Sequence, residues 1–285
     1  MSTPRLTLCA PILGLITHNI CYATSYLFPN ERPWPKRRPL ILSQLKHAIR
    51  PDSFGSGCFI CLQEVLHSQL LEIVSDLNRV DRSSVGNTPT KGEYSPILYP
   101  VKLFNLPHYG TIWLSPTPDR PSKGWDAGST RILTIGVFEH TQTKQTLVAA
   151  NTHLDNAGSK SREKSVEIIP ETLKRLGVFL AWDFNSLTAQ ETYIAVKQSG
   201  YWVDAHDEVE AQDHEESKDE QVRIDFLFPG PQPPQDGHEN DTLAKESSGC
   251  KVDGYAVLPN ILESVICLSD HGAVVGDFRL RYSTT

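Results

Sequence analysis

Short apolar runs rich in Ile, Leu and Val alternate along the chain with segments in which apolar residues recur at helical spacing. The runs predict buried strands, because side chains on both faces of a covered strand are apolar. They are ILGLITHNI, CFICLQEV, EYSPILYP, GTIWL, RILTIGVFEH, TLVAANTHLD, VFLAWDFNS, QVRIDFLFPG, YAVLP and AVVGDFRLRY. Several of them end in polar residues, a feature typical of strands that carry catalytic side chains.

Helices are predicted where apolar residues three and four positions apart share one face. The first two helices are defined by Leu40, Leu45 and Ile49, and by Leu70, Ile73, Val74 and Leu77. Ser159 predicts the N-cap of a third helix, which Pro170 should kink or shorten. Thr188 and Glu191 predict a capping box for a fourth helix, which Gly200 should end.

This order of elements predicts an α/β sandwich in which two packed mixed β-sheets are flanked by helices. The chain has 285 residues, and we treat 1–285 as a single domain because α/β enzymes of this size often form one core. Polar segments interrupt the pattern between Asp81 and Gly92. We predict flexible loops at 205–221 and 230–254.

Charge is unevenly distributed along the chain. There are 27 basic and 34 acidic residues, and the formal charge is -7. Nine of the acids and one lysine lie between Asp204 and Glu220, which leaves 26 basic and 25 acidic residues elsewhere. The rest of the chain is therefore nearly neutral, with no strong basic surface for duplex nucleic acid. A local basic rim is compatible with this balance.

Composition agrees with a globular protein, with 39% hydrophobic and 21% charged residues. No run reaches the about 18 apolar residues of a transmembrane helix. Arg5 and the apolar residues after it resemble a signal peptide, but we predict a buried first strand, because cleavage near Ala23 would remove the functional candidate Asn19. Cys58 and Cys61 form a CxxC pair, yet a strand would point them to opposite faces, so we expect neither a metal nor a redox role.

Eight polar residues at or near the predicted strand ends are candidates for one site. They are Asn19, Glu64, His153, Asp183, Asn185, Asp225, Asp270 and His271. Glu64 and Asp270 suit a hard cation such as Mg²⁺, which prefers oxygen ligands, and histidines suit proton transfer near neutral pH. Each residue alone also fits a structural role, as a solvated cap or a core histidine. It is the whole set, in this order, that favours catalysis.

Seven stretches carry a resemblance to a known family: THNI, LQEV, GWDAGSTRI, NTHLD, DFNS, RIDFLF and LSDHGAVV. Spread from residue 17 to residue 275, they resemble the endonuclease/exonuclease/phosphatase superfamily, to which deoxyribonuclease I belongs. GWDAGSTRI with NTHLD is most similar to a fungal and bacterial group near the deadenylases. The resemblance implies a four-layer α/β sandwich and attack of water on phosphorus that depends on Mg²⁺, with Mn²⁺ as the alternative ion.

The resemblance also implies roles for five of the candidates. Glu64 is expected to be the principal metal ligand, with Asn19 and Asp270 close to the metal. Asp183 is expected to orient or deprotonate the attacking water. Asn185 is expected to hold a phosphate oxygen.

Further roles follow from the same resemblance. His271 is expected to stabilise the charge of the phosphorane or to assist proton transfer, with Asp225 orienting its ring. His153 is expected to contact the same phosphate from the other side, and Arg131 to add a fixed positive charge there.

Three features depart from the family pattern. Trp182 stands where the family usually has glycine before DFN, and Gly272 stands where a larger residue is common. The connection from Arg162 to Asp183 looks short for a full helix and a return strand. These departures keep a weakly active or non-catalytic binding protein as the alternative function.

The leading function is a metal-dependent phosphoester hydrolase. It is either a 3'-5' exoribonuclease on single-stranded RNA or a phosphatase on a small phosphorylated metabolite. We expect a cytoplasmic or nuclear monomer without a membrane or an obligate protein partner.

Overall fold

The computed structural model describes residues 12–27, 29–49, 57–77, 92–173, 178–213, 223–230, 250–262 and 266–280. The helices of this part of the chain are α1 (Trp34–Ala48), α2 (His67–Leu77), α3 (Ser159–Leu173), α4 (Glu191–Gln198) and α5 (Ala205–Asp213). The strands are β1 (Ile12–Asn19), β2 (Cys58–Gln63), β3 (Ile97–Leu98), β4 (Phe104–Trp113), β5 (Ile132–His140), β6 (Thr146–His153), β7 (Val178–Asp183), β8 (Asp225–Gly230), β9 (Cys250–Val257), β10 (Ile261–Leu262), β11 (Ile266–Cys267) and β12 (Val274–Leu280).

The strands form two five-stranded sheets and the short ribbon β10–β11. The first sheet has the order β3-β2-β1-β12-β9, and the second has the order β4-β5-β6-β7-β8. In each sheet one pair is parallel, β1 with β2 and β6 with β7, and the other neighbours are antiparallel. Both sheets are therefore mixed, and each parallel pair brings two carboxyl-terminal strand ends to one edge.

Three apolar clusters show how the layers pack. Phe59 and Phe179 belong to a cluster between the two sheets. Ile60, the neighbour of Phe59, points the other way and packs in a cluster with Ile41 of α1. The outer face of the second sheet packs against α3 and α4 in a cluster that includes Trp182. Helices thus flank two packed sheets, which confirms the predicted α/β sandwich.

The start of the chain follows the sequence prediction where the structure describes it. β1 is mostly buried and lies between β2 and β12. Cys58 and Cys61 of β2 lie in different apolar clusters, on opposite faces of the strand. None of the helices in the described ranges combines the length and apolar character that a membrane crossing needs.

Helix α3 shows that Pro170 does not shorten it and that the connection to Asp183 is long enough, whereas the predicted kink stays a prediction. It runs through Pro170 to Leu173, and β7 begins at Val178. The proline lies in the last turn, so it removes only one late amide bond and does not stop the helix earlier. The connection from Arg162 to Asp183 therefore holds both a full helix and its return strand.

The predicted capping box at Thr188 and Glu191 is wrong. Helix α4 begins at Glu191 itself, and its N-cap Gln190 makes no side-chain cap hydrogen bond. The Glu191 carboxylate instead accepts from Nε of Arg162 at 2.9 Å, so α3 competes for the capping group. Gly200, with φ of 64°, follows the helix end as predicted.

The predicted loops are shorter than expected. Residues 205–213 form α5, whose Ala205 and Val209 pack against the core between the sheets. Residues 250–254 belong to β9, which pairs with β12. Burial of apolar side chains and ladder hydrogen bonds outweigh the polar composition in these segments. The remainder of both predicted loops, together with 82–91 of the polar break, lies outside the described residues.

Candidate active site

Strand ends of both sheets meet at one edge of the sandwich. In the first sheet, Asn19 at the end of β1 lies beside Gln63, the last residue of β2. In the second sheet, His153 lies opposite Asp183, and Asp183 lies opposite Asp225. The register thus aligns candidate residues from three adjacent strands.

Asn19 joins the two sheets across this edge. Its Nδ2 donates to Oε1 of Glu64 at 3.1 Å and to Oδ2 of Asp183 at 2.9 Å. Its Oδ1 accepts from the backbone N–H of Cys21 at 3.0 Å. In this arrangement the amide nitrogen of Asn19 faces both carboxylates, and Asn19 lies beside the expected metal ligand Glu64.

Glu64 directly follows β2 with φ of 56°, which ends the extended strand. Its carboxylate accepts from Asn19 and from the backbone N–H of Tyr22 at 3.3 Å. Burial raises the pKa of Glu64, the hydrogen bond from Asn19 opposes this, and the negative charges of Glu93 and Asp270 raise the pKa further. Three carboxylates therefore act on one another at this side of the site.

Asp183 occupies the centre of the site and is fully buried. Its Oδ1 accepts from the backbone N–H of Asn185 at 3.0 Å, in addition to the Asn19 bond to Oδ2. Asn185 has φ of 48°, a left-handed conformation that asparagine tolerates better than most residues. The turn at Asn185 thus fixes both its own side chain and the Asp183 carboxylate.

His271 lies on one side of Asp183, among acids. Its Nδ1 donates to Oδ2 of Asp225 at 2.6 Å and lies 3.9 Å from Oδ2 of Asp183. Its Nε2 is 4.0 Å from Oδ2 of Asp270. Burial lowers the pKa of His271, but the charge and hydrogen bond of Asp225 and the charges of Asp183 and Asp270 outweigh burial and raise the pKa to about 10. The ring is a cation at neutral pH.

His153 lies on the other side, with Nε2 3.5 Å from Oδ2 of Asp183. Nη1 of Arg131 donates to Nδ1 at 2.9 Å, and the side-chain amide of Asn185 lies 2.7 Å from Nε2. Burial is the main cause that lowers the pKa of His153. The charge of Arg131 adds to burial against the opposing charge of Asp183, and the pKa falls to about 3. This ring is neutral.

The donor set fits a divalent cation on the Glu64 side. Glu64 and the half-exposed Asp270 offer hard oxygen atoms, and a cation would offset the repulsion between them. Within the described residues, Asp183, Asp225 and His271 also bring donor atoms within 4.8 Å of one another. In that group Nδ1 of His271 is already hydrogen-bonded to Oδ2 of Asp225 at 2.6 Å, so the hard oxygen atoms of Glu64 and Asp270 are the ligands we favour.

Buried Arg37 supports the loops on both sides of the first sheet's edge. It donates to the carbonyl oxygens of Ile20, Cys21 and Leu268 at 2.8, 3.0 and 2.7 Å, and it forms an ion pair with Glu31 at 3.2 Å. These bonds tie the segment after Asn19 to the segment before Asp270. The sequence did not reveal this role, because it depends on contacts between residues far apart in the chain.

The similarity of this chain to known proteins lies mainly in its structure and less in its sequence. No protein-family model matches the sequence, and no functionally curated protein matches it in sequence. A crystal structure of an endonuclease/exonuclease/phosphatase family protein from Bacteroides thetaiotaomicron is 24% identical, with a TM-score of 0.75 over 96% of this chain and 99% of that chain.

The fold is that of the endonuclease/exonuclease/phosphatase family.

Two further solved structures share this fold. A mannosyl-6-phosphatase from Bacteroides thetaiotaomicron is 23% identical, with a TM-score of 0.73 over 95% of this chain and 100% of that chain. TDP2 from D. rerio, in complex with a single-strand DNA product, is 16% identical, with a TM-score of 0.66 over 94% of this chain and 99% of that chain.

Two departures from the family pattern have structural explanations. Trp182 is fully buried, with its ring centroid 4.5 Å from that of Phe184, on the face of β7 that points away from Asp183. A Cβ at position 272 would lie 2.8 Å from the carbonyl oxygen of Leu258. Gly272 is therefore required by a close approach of backbone.

Two side chains near the site were not predicted from the sequence. Asp155 lies two residues after His153 in NTHLD, and Glu93 precedes β3. Both approach Arg131, with Oδ2 of Asp155 3.4 Å from Nε and Oε2 of Glu93 3.9 Å from Nη1. Arg131 is only 8% exposed. Its guanidinium is therefore occupied by His153, Asp155 and Glu93, and its expected contact with a phosphate stays a prediction.

Proposed function

We propose that the protein is a divalent-metal-dependent phosphoester hydrolase. The observation that carries this proposal is the Asp183 carboxylate, which Asn19 holds from the first sheet while His153 and His271 stand 3.5 and 3.9 Å away. Phosphoryl transfer needs alignment and charge neutralisation more than covalent chemistry. A fixed carboxylate between a neutral and a cationic imidazole offers both.

The residues divide the chemistry among them. A divalent cation held by Glu64 and Asp270 would neutralise phosphate charge when bound. Asp183 orients or deprotonates the attacking water, and hydrogen bonds to both of its oxygens hold the carboxylate in place for this role. His271, held by Asp225, donates to the charge that develops on the phosphoryl oxygens.

The remaining phosphate contacts come from the other side of Asp183. Asn185 and His153 present polar side-chain atoms 2.7 Å apart at the end of the second sheet. Both are fixed from behind, Asn185 by its turn and His153 by Arg131. We assign them to one phosphate oxygen, opposite the His271 side.

A small phosphorylated metabolite is the substrate class we favour. The chain apart from the acidic 204–220 stretch is nearly neutral, and Glu64, Glu93 and Asp270 concentrate negative charge beside the site. Such a surface repels a polyanion more than a single phosphate group. A mannosyl-6-phosphatase shares the fold, which supports a monoester of this kind.

Single-stranded RNA is the second candidate substrate. It rests on the similarity of the GWDAGSTRI and NTHLD stretches to the deadenylase-like group. The D. rerio TDP2 structure with a single-strand DNA product has the same fold. Hydrolysis of oligo(A) in preference to sugar and inositol phosphates would favour this candidate.

The first test combines a substrate panel with the variant Glu64→Gln. We expect hydrolysis with Mg²⁺ or Mn²⁺ of at least one substrate among oligo(A), abasic DNA, sugar phosphates and inositol phosphates. Glu64→Gln should lose about 10²–10³-fold in kcat, as when other single charge-stabilising groups are removed. Calorimetric titration with the metal should show weakened binding.

The matched control is Glu139→Gln. This acid pairs with Lys144 at 3.1 Å near the far end of β5, so the same change there should leave rate and metal binding intact. Wild-type rate and unchanged metal affinity in Glu64→Gln would overturn the metal assignment. No hydrolysis of any panel member, with phosphate esters still bound, would favour the non-catalytic binding protein.

A further inference from the structure

Arg131 is built into the protein as a support for His153. Its guanidinium is buried, and Nη1 lies 2.9 Å from Nδ1 of His153. A guanidinium has donors only and cannot lose its proton in a protein. Nδ1 must therefore be the acceptor, and the single ring proton of neutral His153 must lie on Nε2.

Asn185 competes with Arg131 for the ring. Its side-chain nitrogen lies 2.7 Å from Nε2 and also 2.9 Å from the carbonyl oxygen of Leu154. A neutral imidazole cannot accept at both nitrogens, so Arg131 and Asn185 cannot both donate to it. Arg131 has no acceptor to offer, and Nδ2 of Asn185 already donates to the carbonyl oxygen of Leu154, so Arg131 takes the single acceptor position of the ring. The Nε2–H of His153 is then left to donate to Oδ2 of Asp183, 3.5 Å away, or to a phosphate oxygen.

Asp155 is the residue that fixes Arg131. Its Oδ2 lies 3.4 Å from Nε of Arg131 and accepts from the backbone N–H of Ser129 at 2.9 Å. Its Oδ1 accepts from the backbone N–H groups of Gly128, Ala157 and Gly158 at 2.9, 3.1 and 2.8 Å. The carboxylate is thus held by rigid donors from two segments. Burial raises the pKa of Asp155, but these backbone hydrogen bonds outweigh burial and lower the pKa to about 2.

We propose that Asp155 is a positioning residue that acts through Arg131 to hold His153 as its Nε2–H tautomer, aimed at a phosphate oxygen of the substrate. The ion pair fixes the guanidinium, the guanidinium occupies Nδ1, and the ring can then only donate from Nε2. The phosphate contact rests on the proposed function, whereas the tautomer is a property of the protein alone.

Nitrogen NMR of the histidine rings tests the tautomer without any substrate. In ¹⁵N-labelled protein, with the His153 signals assigned by their loss in His153→Gln, we expect a protonated Nε2 and an unprotonated Nδ1. Asp155→Asn removes the charge beside Arg131 and should give a mixture of the two tautomers. On the best phosphoester, the same variant should lose about 10–100-fold in kcat with little change in KM.

Asp126→Asn is the matched control for loop stability. Asp126 anchors the same loop to the start of α3, accepting from the backbone N–H groups of Ser161 at 2.7 Å and Lys160 at 3.2 Å, but it makes no contact with Arg131 among the described residues. It should lower the melting temperature without changing the His153 signals. Should Asp155→Asn fail to fold, Arg131→Gln and Arg131→Lys replace it. The first should mix the tautomers and the second should keep the wild-type one.

Two results would overturn the proposal. One is a protonated Nδ1 in the wild-type protein. The other is an unchanged His153 signature in Asp155→Asn, which would reduce Asp155 to an anchor of the loop. Failure of the proposed function would look different, because the tautomer result would stand while no phosphoester was hydrolysed.

Discussion

Two histidines lie on opposite sides of the Asp183 carboxylate, and their surroundings shift their pKa values in opposite directions. Nε2 of His153 lies 3.5 Å and Nδ1 of His271 lies 3.9 Å from the same oxygen, and both rings are buried. The pKa of His153 nevertheless falls to about 3, while that of His271 rises to about 10. Burial and the shared carboxylate therefore do not determine the outcome.

The partner at Nδ1 makes the difference. His153 meets the guanidinium of Arg131 at 2.9 Å, and His271 meets the carboxylate of Asp225 at 2.6 Å. A cation disfavours a second positive charge, and an acid favours one. One residue type thus serves as a neutral donor on one side of Asp183 and as a cation on the other. The group that contacts Nδ1 therefore determines the direction in which the pKa of each histidine shifts.

Removal of the cationic histidine should have the largest effect. We expect His271→Ala to lower kcat by about 10²–10⁴-fold, because it removes both a proton donor and a fixed positive charge. In the proposed mechanism Asp225 orients that ring, so the double variant with Asp225→Ala should be no slower than His271→Ala. Steady-state kinetics on the best phosphoester for both single variants and the double variant measure this.

Asp253→Ala is the control for the loss of an acid. Asp253 pairs with Arg279 at 2.8 Å, away from the edge that carries the site, and its removal should leave kcat unchanged. Losses that add up in the logarithm of the rate for the His271 and Asp225 variants would mean that Asp225 acts independently of the ring.

The strand between the two histidines provides the next test. Trp182 lies in β7 beside Asp183, with its ring centroid 4.5 Å from Phe184 and 6.0 Å from Phe228. Trp182→Gly should lower the free energy of unfolding by about 3–5 kcal/mol, because a fully buried ring leaves a cavity. The folded variant should be no faster than wild type, since the ring fills the layer between sheet and helices.

Urea unfolding and kinetics on one substrate decide this point, with Trp182→Phe as the conservative control that should lose less stability. A mild loss of stability combined with faster turnover would show instead that the ring displaces β7. In that case the positions of His153 and His271 relative to Asp183 would depend on the packing of the core behind β7. The difference between their pKa values would then not be set by their Nδ1 partners alone.

The row of strand-end residues was open to prediction from the sequence. His153, Asp183 and Asp225 each follow or begin an apolar run, and strands of mixed sheets that end at one edge bring such residues together. The register confirms this for all three. The local sequence pattern was sufficient to predict this row, because the pattern shows where each strand ends.

The contacts that hold these strand-end residues in place could not be predicted from the sequence. Arg131 was expected at the phosphate, but its direction depends on Asp155, and Asp155 depends on backbone donors at Gly128, Ser129, Ala157 and Gly158. These bonds exist only once two loops have met. The boundaries of α4 and α5 escaped prediction for a similar reason, since tertiary contacts outweighed local capping signals and charge.

The smallest predicted effect is the pH dependence of stability, in which the two histidines should act in opposite directions. The raised pKa of His271 stabilises the fold fully below the unfolded value of about 6.5, and this contribution is lost as pH rises through the folded value of about 10. The lowered pKa of His153 gives a contribution that is present above about 6.5 and lost as pH falls toward about 3. Each limb should have a slope of at most about 1.4 kcal/mol per pH unit for each histidine.

Variants separate the two limbs in urea unfolding with a chelator present. His271→Gln should flatten the alkaline limb, and it should make the acid limb only slightly shallower, because the charge of His271 helps to lower the pKa values of His153 and His18. His18, a fully buried ring, adds to the acid limb, because burial and the nearby charges of His271 and Arg37 outweigh a hydrogen bond to the His271 backbone and lower its pKa to about 3. His18→Leu should therefore make the acid limb shallower and change stability at pH 7 by less than about 1.5 kcal/mol. An acid limb that flattens strongly in His271→Gln while the alkaline limb stays steep would reverse the charge states assigned to the two rings beside Asp183.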